Sequence, residues 1–382
     1  MDREQIMKTI DKKIEEINSL INGVIEEQGV GITVSIVKKD ELIFAKEYGY
    51  AQLEPTKSLI DENTIMSIQS VTKNFVAVCI MKLVEKGNIQ LDTPIIKYLP
   101  YFRTKDKNLS DQITVRHVLS HTTGFPADLG IANLVAPNVK EIYSDTPTEW
   151  SEALAYYRLV EDELTSIHTR EDITRWFRKV KLESPPGHDW NYCTDAYVIL
   201  GDLIEKVTGE SWETFLQNQF LTPLQMTRTT TVTNIIMTDN NYAKYYLGTD
   251  KVETPYPTNS LAAPIGFLYS TATDLAKYMS FHLNYSSREM LENTHKKQMQ
   301  NPVCRVSEEW DNETNTCFYG LGWFIEDYKG KTIIEHGGGQ MAVRALISLI
   351  PEENIGVAVL MNFDSTVHRY ISSKIIDILL DL

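Results

Sequence analysis

The chain has 382 residues, of which 37 are lysine or arginine and 52 are aspartate or glutamate, giving a formal charge of −15. With no basic cluster to offset that excess, the balance argues against nucleic acid and against an anionic membrane surface as partners. Apolar residues at 42%, aromatics at 10% and the lack of any low-complexity tract exclude a disordered chain and leave a globular one, long enough for about two domains or one domain with an insertion.

Met1 to Gln28 is charged and amphipathic, with Ile6, Ile10, Ile14, Ile17, Ile21 and Val24 on one stripe. That pattern predicts a helix packed on a sheet, and neither a signal peptide nor a membrane anchor. No later stretch is apolar for long enough to span a bilayer, so the expected location is cytoplasmic. In that compartment Cys79, Cys193, Cys304 and Cys317, which lack metal-ligand spacing, are expected to be reduced thiols, and the sequons at Asn108, Asn284 and Asn312 carry no meaning. Residues 31–37 and 42–48 are β-rich runs joined by Lys38-Lys39-Asp40-Glu41, the pattern of a hairpin.

The stretch Met66-Ser67-Ile68-Gln69-Ser70-Val71-Thr72-Lys73 opens an apolar helix in which Phe75, Val76, Val78, Ile80, Met81, Leu83 and Val84 recur until Gly87 stops them. Three residues apart, Ser70 and Lys73 share one helix face. A serine in the first helical turn lies beside free backbone N–H groups and the positive end of the helix dipole, which is half of an oxyanion hole. Its hydroxyl becomes a nucleophile only when a base takes the proton, and Lys73 serves only if its surroundings lower its pKa from about 10.4. Spacing alone proves little. Ser35-Ile36-Val37-Lys38 repeats it on a predicted strand, where positions three apart face opposite sides, and a lone match would read as a helix-start serine with a solvated lysine.

Further on, Thr114 to Ser120 reads as a short helix capped by Thr114, followed by a turn at Thr122-Thr123-Gly124. Residues 127–183 carry helical patterns at Trp150 to Leu159 and Asp172 to Val180; Pro185-Pro186-Gly187 turns sharply before Tyr192, and a helix through Tyr197, Leu200, Leu203, Ile204 and Val207 ends at Gly209. A helix from Thr273 to Leu283 gives way to strand-like runs at 321–325, 331–335, 344–350 and 355–361, and a helix from Thr366 to Leu380 closes the chain. The N-terminal hairpin is too small to stand alone and is expected to join these strands. The expected fold is α+β: an antiparallel sheet from residues 1–62 and 265–382, flanked by the two terminal helices, with a mainly helical insertion at 63–264 and a site at the junction.

Five short motifs follow in order: Ser70-Val71-Thr72-Lys73, Leu119-Ser120-His121-Thr122-Thr123-Gly124-Phe125-Pro126, Pro186-Gly187 with Tyr192, Gly266-Phe267-Leu268-Tyr269-Ser270-Thr271-Ala272, and His336-Gly337-Gly338. Over roughly residues 20–380 the chain resembles the class C β-lactamase and penicillin-binding-protein-related serine hydrolases, which include D,D-peptidases, D-aminopeptidases, carboxylesterases and a few acyltransferases. The resemblance implies an acyl-enzyme route that needs no metal and no organic cofactor. Ser70 would attack a carbonyl, while Lys73 and the Tyr192 phenol, lowered toward a useful base by the lysine charge, remove its proton and supply one to the leaving group. The backbone N–H groups of Ser70 and Gly339 would form the oxyanion hole, with Gly337, Gly338 and Thr194 beside the substrate.

Two departures bear on substrate. Tyr192-Cys193-Thr194 stands where the family commonly has Tyr-Ser-Asn or Tyr-Ala-Asn, so the amide that would hold an acylamino group is missing. The third motif begins with His336 in place of the usual lysine, a weaker and switchable cation seen among peptidases and esterases of the family. Both argue against an efficient β-lactamase. A zinc pair at His117 and His121 lacks a third ligand, and a thiol nucleophile at Cys193 has nothing beside it to lower its pKa. The reading is a serine hydrolase acting on an amide or ester of a small molecule or short peptide, D-amino-acid peptides included. Alternatives are an acyltransferase on the same acyl-enzyme, a weak β-lactamase and, last, a non-catalytic binding protein; nothing in the sequence fixes an oligomeric state.

Overall fold

The computed structural model describes residues 3–136, 139, 147–284, 290–307 and 316–381. Its strands are β1 (Gly31–Lys38), β2 (Glu41–Gln52), β3 (Ser58–Leu59), β4 (Met66–Ser67), β5 (Tyr246–Leu247), β6 (Val252–Glu253), β7 (Tyr269–Ser270), β8 (Cys304–Arg305), β9 (Phe318–Tyr319), β10 (Phe324–Tyr328), β11 (Lys331–Gln340), β12 (Val343–Ile350) and β13 (Ile355–Met361). One antiparallel sheet runs β3-β2-β1-β13-β12-β11-β10-β9-β8. The first hairpin therefore does join the last strands: Val34 lies opposite Val359 and Ile36 opposite Val357. β1 is buried from Gly31 to Val37 because both its faces are covered, which is why it reads as a nearly continuous apolar run.

On the outer face, α1 (Arg3–Gln28) brings Ile17 and Ile21 onto Ile32, Val34, Val357 and Val359, together with Ile371, Ile375 and Ile376 of the closing helix, Val367–Leu380. The side chains of Ile6 and Ile10 lie outside the described residues, as does the Asn312 sequon. On the inner face, Ala345, Ile347, Leu349, Ala358 and Leu360 share a single core with the helical region. Each such aliphatic side chain contributes about 1.5–3 kcal/mol when fully withdrawn from water.

The helical region is built around α2 (Thr72–Glu85), which is buried on nearly every side from Thr72 to Leu83 and accordingly apolar without a break from Phe75 to Met81. Phe75 stacks on Tyr278 at 3.9 Å, joining α2 to α3 (Ala272–Leu283), which backs the sheet. Glycine 322, with φ +80, turns the chain against α2, and Asn74 Nδ2 donates to its carbonyl at 2.8 Å. That turn explains why the strand expected at 321–325 begins only at Phe324. The helix after Thr114 spans Val115–Leu119, and Tyr192 precedes a helix over Ala196–Thr208 that ends, as expected, on a left-handed Gly209. Among the described residues no helix is long and apolar enough to cross a bilayer.

Candidate active site

Ser70 does not sit in the first turn of α2. It occupies a 3-10 turn, Gln69–Val71, just before it, and Gln69 takes φ +43, a left-handed conformation that a non-glycine residue holds only when its surroundings impose it. Several contacts do so. β4 pairs with β7, the Ile68 N–H donates to the Leu268 carbonyl at 3.1 Å, the Ser67 N–H donates to the Tyr245 hydroxyl at 2.6 Å, and Gln69 Nε2 donates to Ser67 Oγ at 3.0 Å. From the other side β11 presses Gly338 onto the turn, where a Cβ would overlap the Ile68 carbonyl oxygen and stand 3.0 Å from the Ser70 nitrogen. Only a glycine lets the strand come so close.

Lys73 Nζ lies 3.0 Å from Ser70 Oγ and donates to the Ile265 carbonyl at 2.7 Å. Its side chain is fully buried, 5.1 Å from the centre of the Tyr192 ring and 5.7 Å from that of Tyr197. Burial pushes its pKa down to about 7, and Asp195, acting through space, offsets only part of the shift. The amine is thus neutral in a large fraction of molecules at physiological pH, within reach of the hydroxyl it would deprotonate.

Tyr192 meets the expected neighbours but not the expected electrostatics. Burial pushes its phenol well above the ordinary range, a hydrogen bond with Ser70 offsets only part of that, and Tyr192 remains a protonated donor rather than a phenolate base. His336 is also corrected as a switchable cation. It is buried, with Nδ1 donating to the Gly337 carbonyl at 2.7 Å and Nε2 accepting from the Tyr319 hydroxyl at 3.1 Å, and burial together with the Lys73 charge pushes its pKa down to about 3. It is therefore neutral at physiological pH.

Along β11 the side-chain positions alternate. Gly338 faces the Ser70 turn, while Cβ atoms at Gly337 and Gly339 would point toward Arg369 and Arg344 on the outer face. Thr194 is half-buried where the Ala196–Thr208 helix begins, its carbonyl accepting the Tyr197 N–H at 3.2 Å. Cys193 beside it is buried and its thiol is pushed up, so it is inert.

The β-lactamase family model matches residues 10–378. The chain belongs to the β-lactamase family. This β-lactamase-family chain is similar to Protein flp of Staphylococcus aureus, 25% identical over 339 residues, a match covering 88% of the chain but only 60% of that relative's length. Among solved structures it is similar to the octameric penicillin-binding protein homologue from Pyrococcus abyssi, with a TM-score of 0.80 and 28% identity over 96% of this chain and 77% of that one. The D-stereospecific amidohydrolase from Streptomyces sp. shares the fold, with a TM-score of 0.69 and 21% identity over 94% and 96% of the two chains. The family is generally one of serine hydrolases.

Two residues of this β-lactamase-family site were not legible beforehand. Asp195 is buried three residues after Tyr192, its carboxylate accepting the backbone N–H groups of Leu129 at 3.1 Å and Ala132 at 2.7 Å. His121 falls in the second motif, where a structural role is expected in preference to zinc, but its place against Tyr192 is not. Its imidazole is fully enclosed, 4.2 Å from the Tyr192 ring and 5.1 Å from that of Tyr319, with φ +58, and its carbonyl accepts the Asn191 N–H at 2.9 Å. His117 caps its own helix, Nδ1 accepting the Thr114 N–H. Among the described residues neither His121 ring nitrogen has a hydrogen-bond partner. Losing unpartnered polar atoms costs little, whereas losing the ring frees Tyr192. His121→Phe is therefore expected to keep Ser70 reactive, while His121→Ala slows covalent labelling of Ser70 about tenfold or more; equal rates in the two variants would contradict a stacking role.

Proposed function

We propose that the chain is a serine hydrolase that cleaves an amide or ester of a small molecule or short peptide through an acyl-Ser70 intermediate. The observation that carries the reading is a buried lysine amine, with no carboxylate in contact among the described residues, 3.0 Å from a serine hydroxyl held in a strained turn. Lys73 accepts the Ser70 proton as Oγ bonds to the substrate carbonyl carbon, and the developing oxyanion is met by the backbone N–H groups of Ser70 and Gly339. Tyr192 gives its proton to the leaving amine or alkoxide as the carbon–heteroatom bond breaks, and is reprotonated by the Lys73 ammonium. Water then repeats the attack and releases the acid. The neutral His336 and the missing amide at Thr194 support an ester or amide without the carboxylate and acylamino anchors of a β-lactam.

Intact mass after incubation with a fluorophosphonate tests this. Wild type is expected to gain one phosphonyl adduct and Ser70→Ala none; labelling that survives in Ser70→Ala, or wild type that takes no label, would reject the nucleophile.

A further inference from the structure

A small, mainly apolar cleft is lined by residues that lie one or two positions along the chain from those packed on the nucleophile turn. On one side Phe267 follows Gly266, which packs on Gln69; on the other Gln340 lies two residues past Gly338, about 7 Å along an extended strand. Between them opens a cleft of about 240 Å³ whose walls include Leu134, Ala136, Val139, Tyr256, Phe267 and Val343. That volume is below the roughly 300–1,000 Å³ of a site for a drug-sized ligand, so it suits one side group of a substrate. Its wall is preformed. Asp195, close after Tyr192, holds the backbone at Leu129 and Ala132, and Asn259 Nδ2 donates to the Ala132 carbonyl at 2.6 Å, fixing Ile131–Leu134 relative to the catalytic phenol.

The charges around it are one-sided. No lysine, arginine or histidine is among the described residues lining the cleft, and Glu149, at the rim, is its one carboxylate. Nearby, both His336 nitrogens are engaged, with Gly337 and Tyr319. An anionic group placed there would lose its hydration with no cation among the described lining residues to replace it.

Resting on the acyl-enzyme reading above, we propose that this cleft receives the acyl side of the substrate and selects neutral, apolar acyl groups over groups carrying a free carboxylate. A buried methylene is worth a factor of about four, so each one added to the acyl chain raises kcat/KM by about that factor until the cleft is full.

The test uses the whole chain with p-nitrophenyl esters from acetate to octanoate, and compares the hexanoate with the mono-p-nitrophenyl ester of glutaric acid. In parallel, p-nitrophenyl alkylphosphonates from methyl to hexyl report the rate at which Ser70 forms a P–O bond and expels p-nitrophenolate, which needs no turnover. Rates that climb at least tenfold from acetate to hexanoate, with the glutarate ester at least tenfold below the hexanoate, are expected. Ala136→Phe, which fills the cleft, should flatten the climb. A flat or falling series in both reagent sets, with Ser70 still labelled, overturns the cleft assignment alone; so does a glutarate ester turned over as fast as the hexanoate. Absence of any Ser70 adduct overturns the hydrolase reading and this inference with it.

Discussion

Lys73→Met is expected to lower kcat/KM by at least about 10⁴-fold, the scale of losing a general base that acts as a unit with its nucleophile, and to make the fold more resistant to urea at pH 7. The two effects share one cause. A lysine held near pKa 7 in the fold and at an ordinary 10.5 when unfolded binds its proton more tightly in the unfolded chain. The Lys73 contribution to stability is therefore greatest above pH 10.5, falls as the pH drops toward 7, and is flat below that. At neutral pH the penalty is on the order of 4 kcal/mol, part of which a methionine of similar length returns. The urea midpoints of wild type and variant should converge above pH 10.5. Turnover in the wild type should rise with pH through about 7 and level off, because only the neutral amine accepts the Ser70 proton; His336, titrating near 3, adds no step in that range. A variant less stable than wild type at pH 7 would contradict the buried-charge account, and one that turns over normally would remove Lys73 from the chemistry.

The parts of this arrangement that local pattern encodes were readable in advance. Alternating and β-branched runs gave the hairpin at Gly31 and the strands ending at Met361, and because a lone hairpin cannot persist in water, their union in one sheet followed. The approach of Lys73 to Ser70 was foreshadowed by their spacing together with the four motifs that follow them in order. What escaped depends on contacts between distant segments. The two-residue pairing of Met66–Ser67 with Tyr269–Ser270 is too short to leave a periodic signal, yet it helps force Gln69 into a left-handed turn and moves Ser70 out of the helix proper. The neutrality of His336 follows from its burial and the Lys73 charge, and its Nε2 partner Tyr319 comes from a two-residue strand, Phe318–Tyr319, that no pattern announced. Burial likewise reversed the expected direction for Tyr192, since desolvation of the phenol outweighs the influence of its neighbours.

That reversal leads to the second large effect. Because the Tyr192 proton is held tightly, its use to the reaction is as a donor to the leaving group, and the cost of Tyr192→Phe should depend on what leaves. An alkyl amine is expelled only with a proton in hand, so hydrolysis of an amide should fall by about 10³-fold. A p-nitrophenolate departs without one, and for p-nitrophenyl acetate the loss should be less than about tenfold, the remainder reflecting disturbed packing against His121 and Phe324. Wild type should also show no falling limb of kcat/KM attributable to Tyr192 between pH 8 and about 10, the ordinary tyrosine value. Parallel kinetics on one amide and one activated ester of the same acyl group decide the matter. Equal losses on the two substrates would make Tyr192 part of Ser70 activation instead, with its phenol acting on the attacking oxygen before any leaving group is involved.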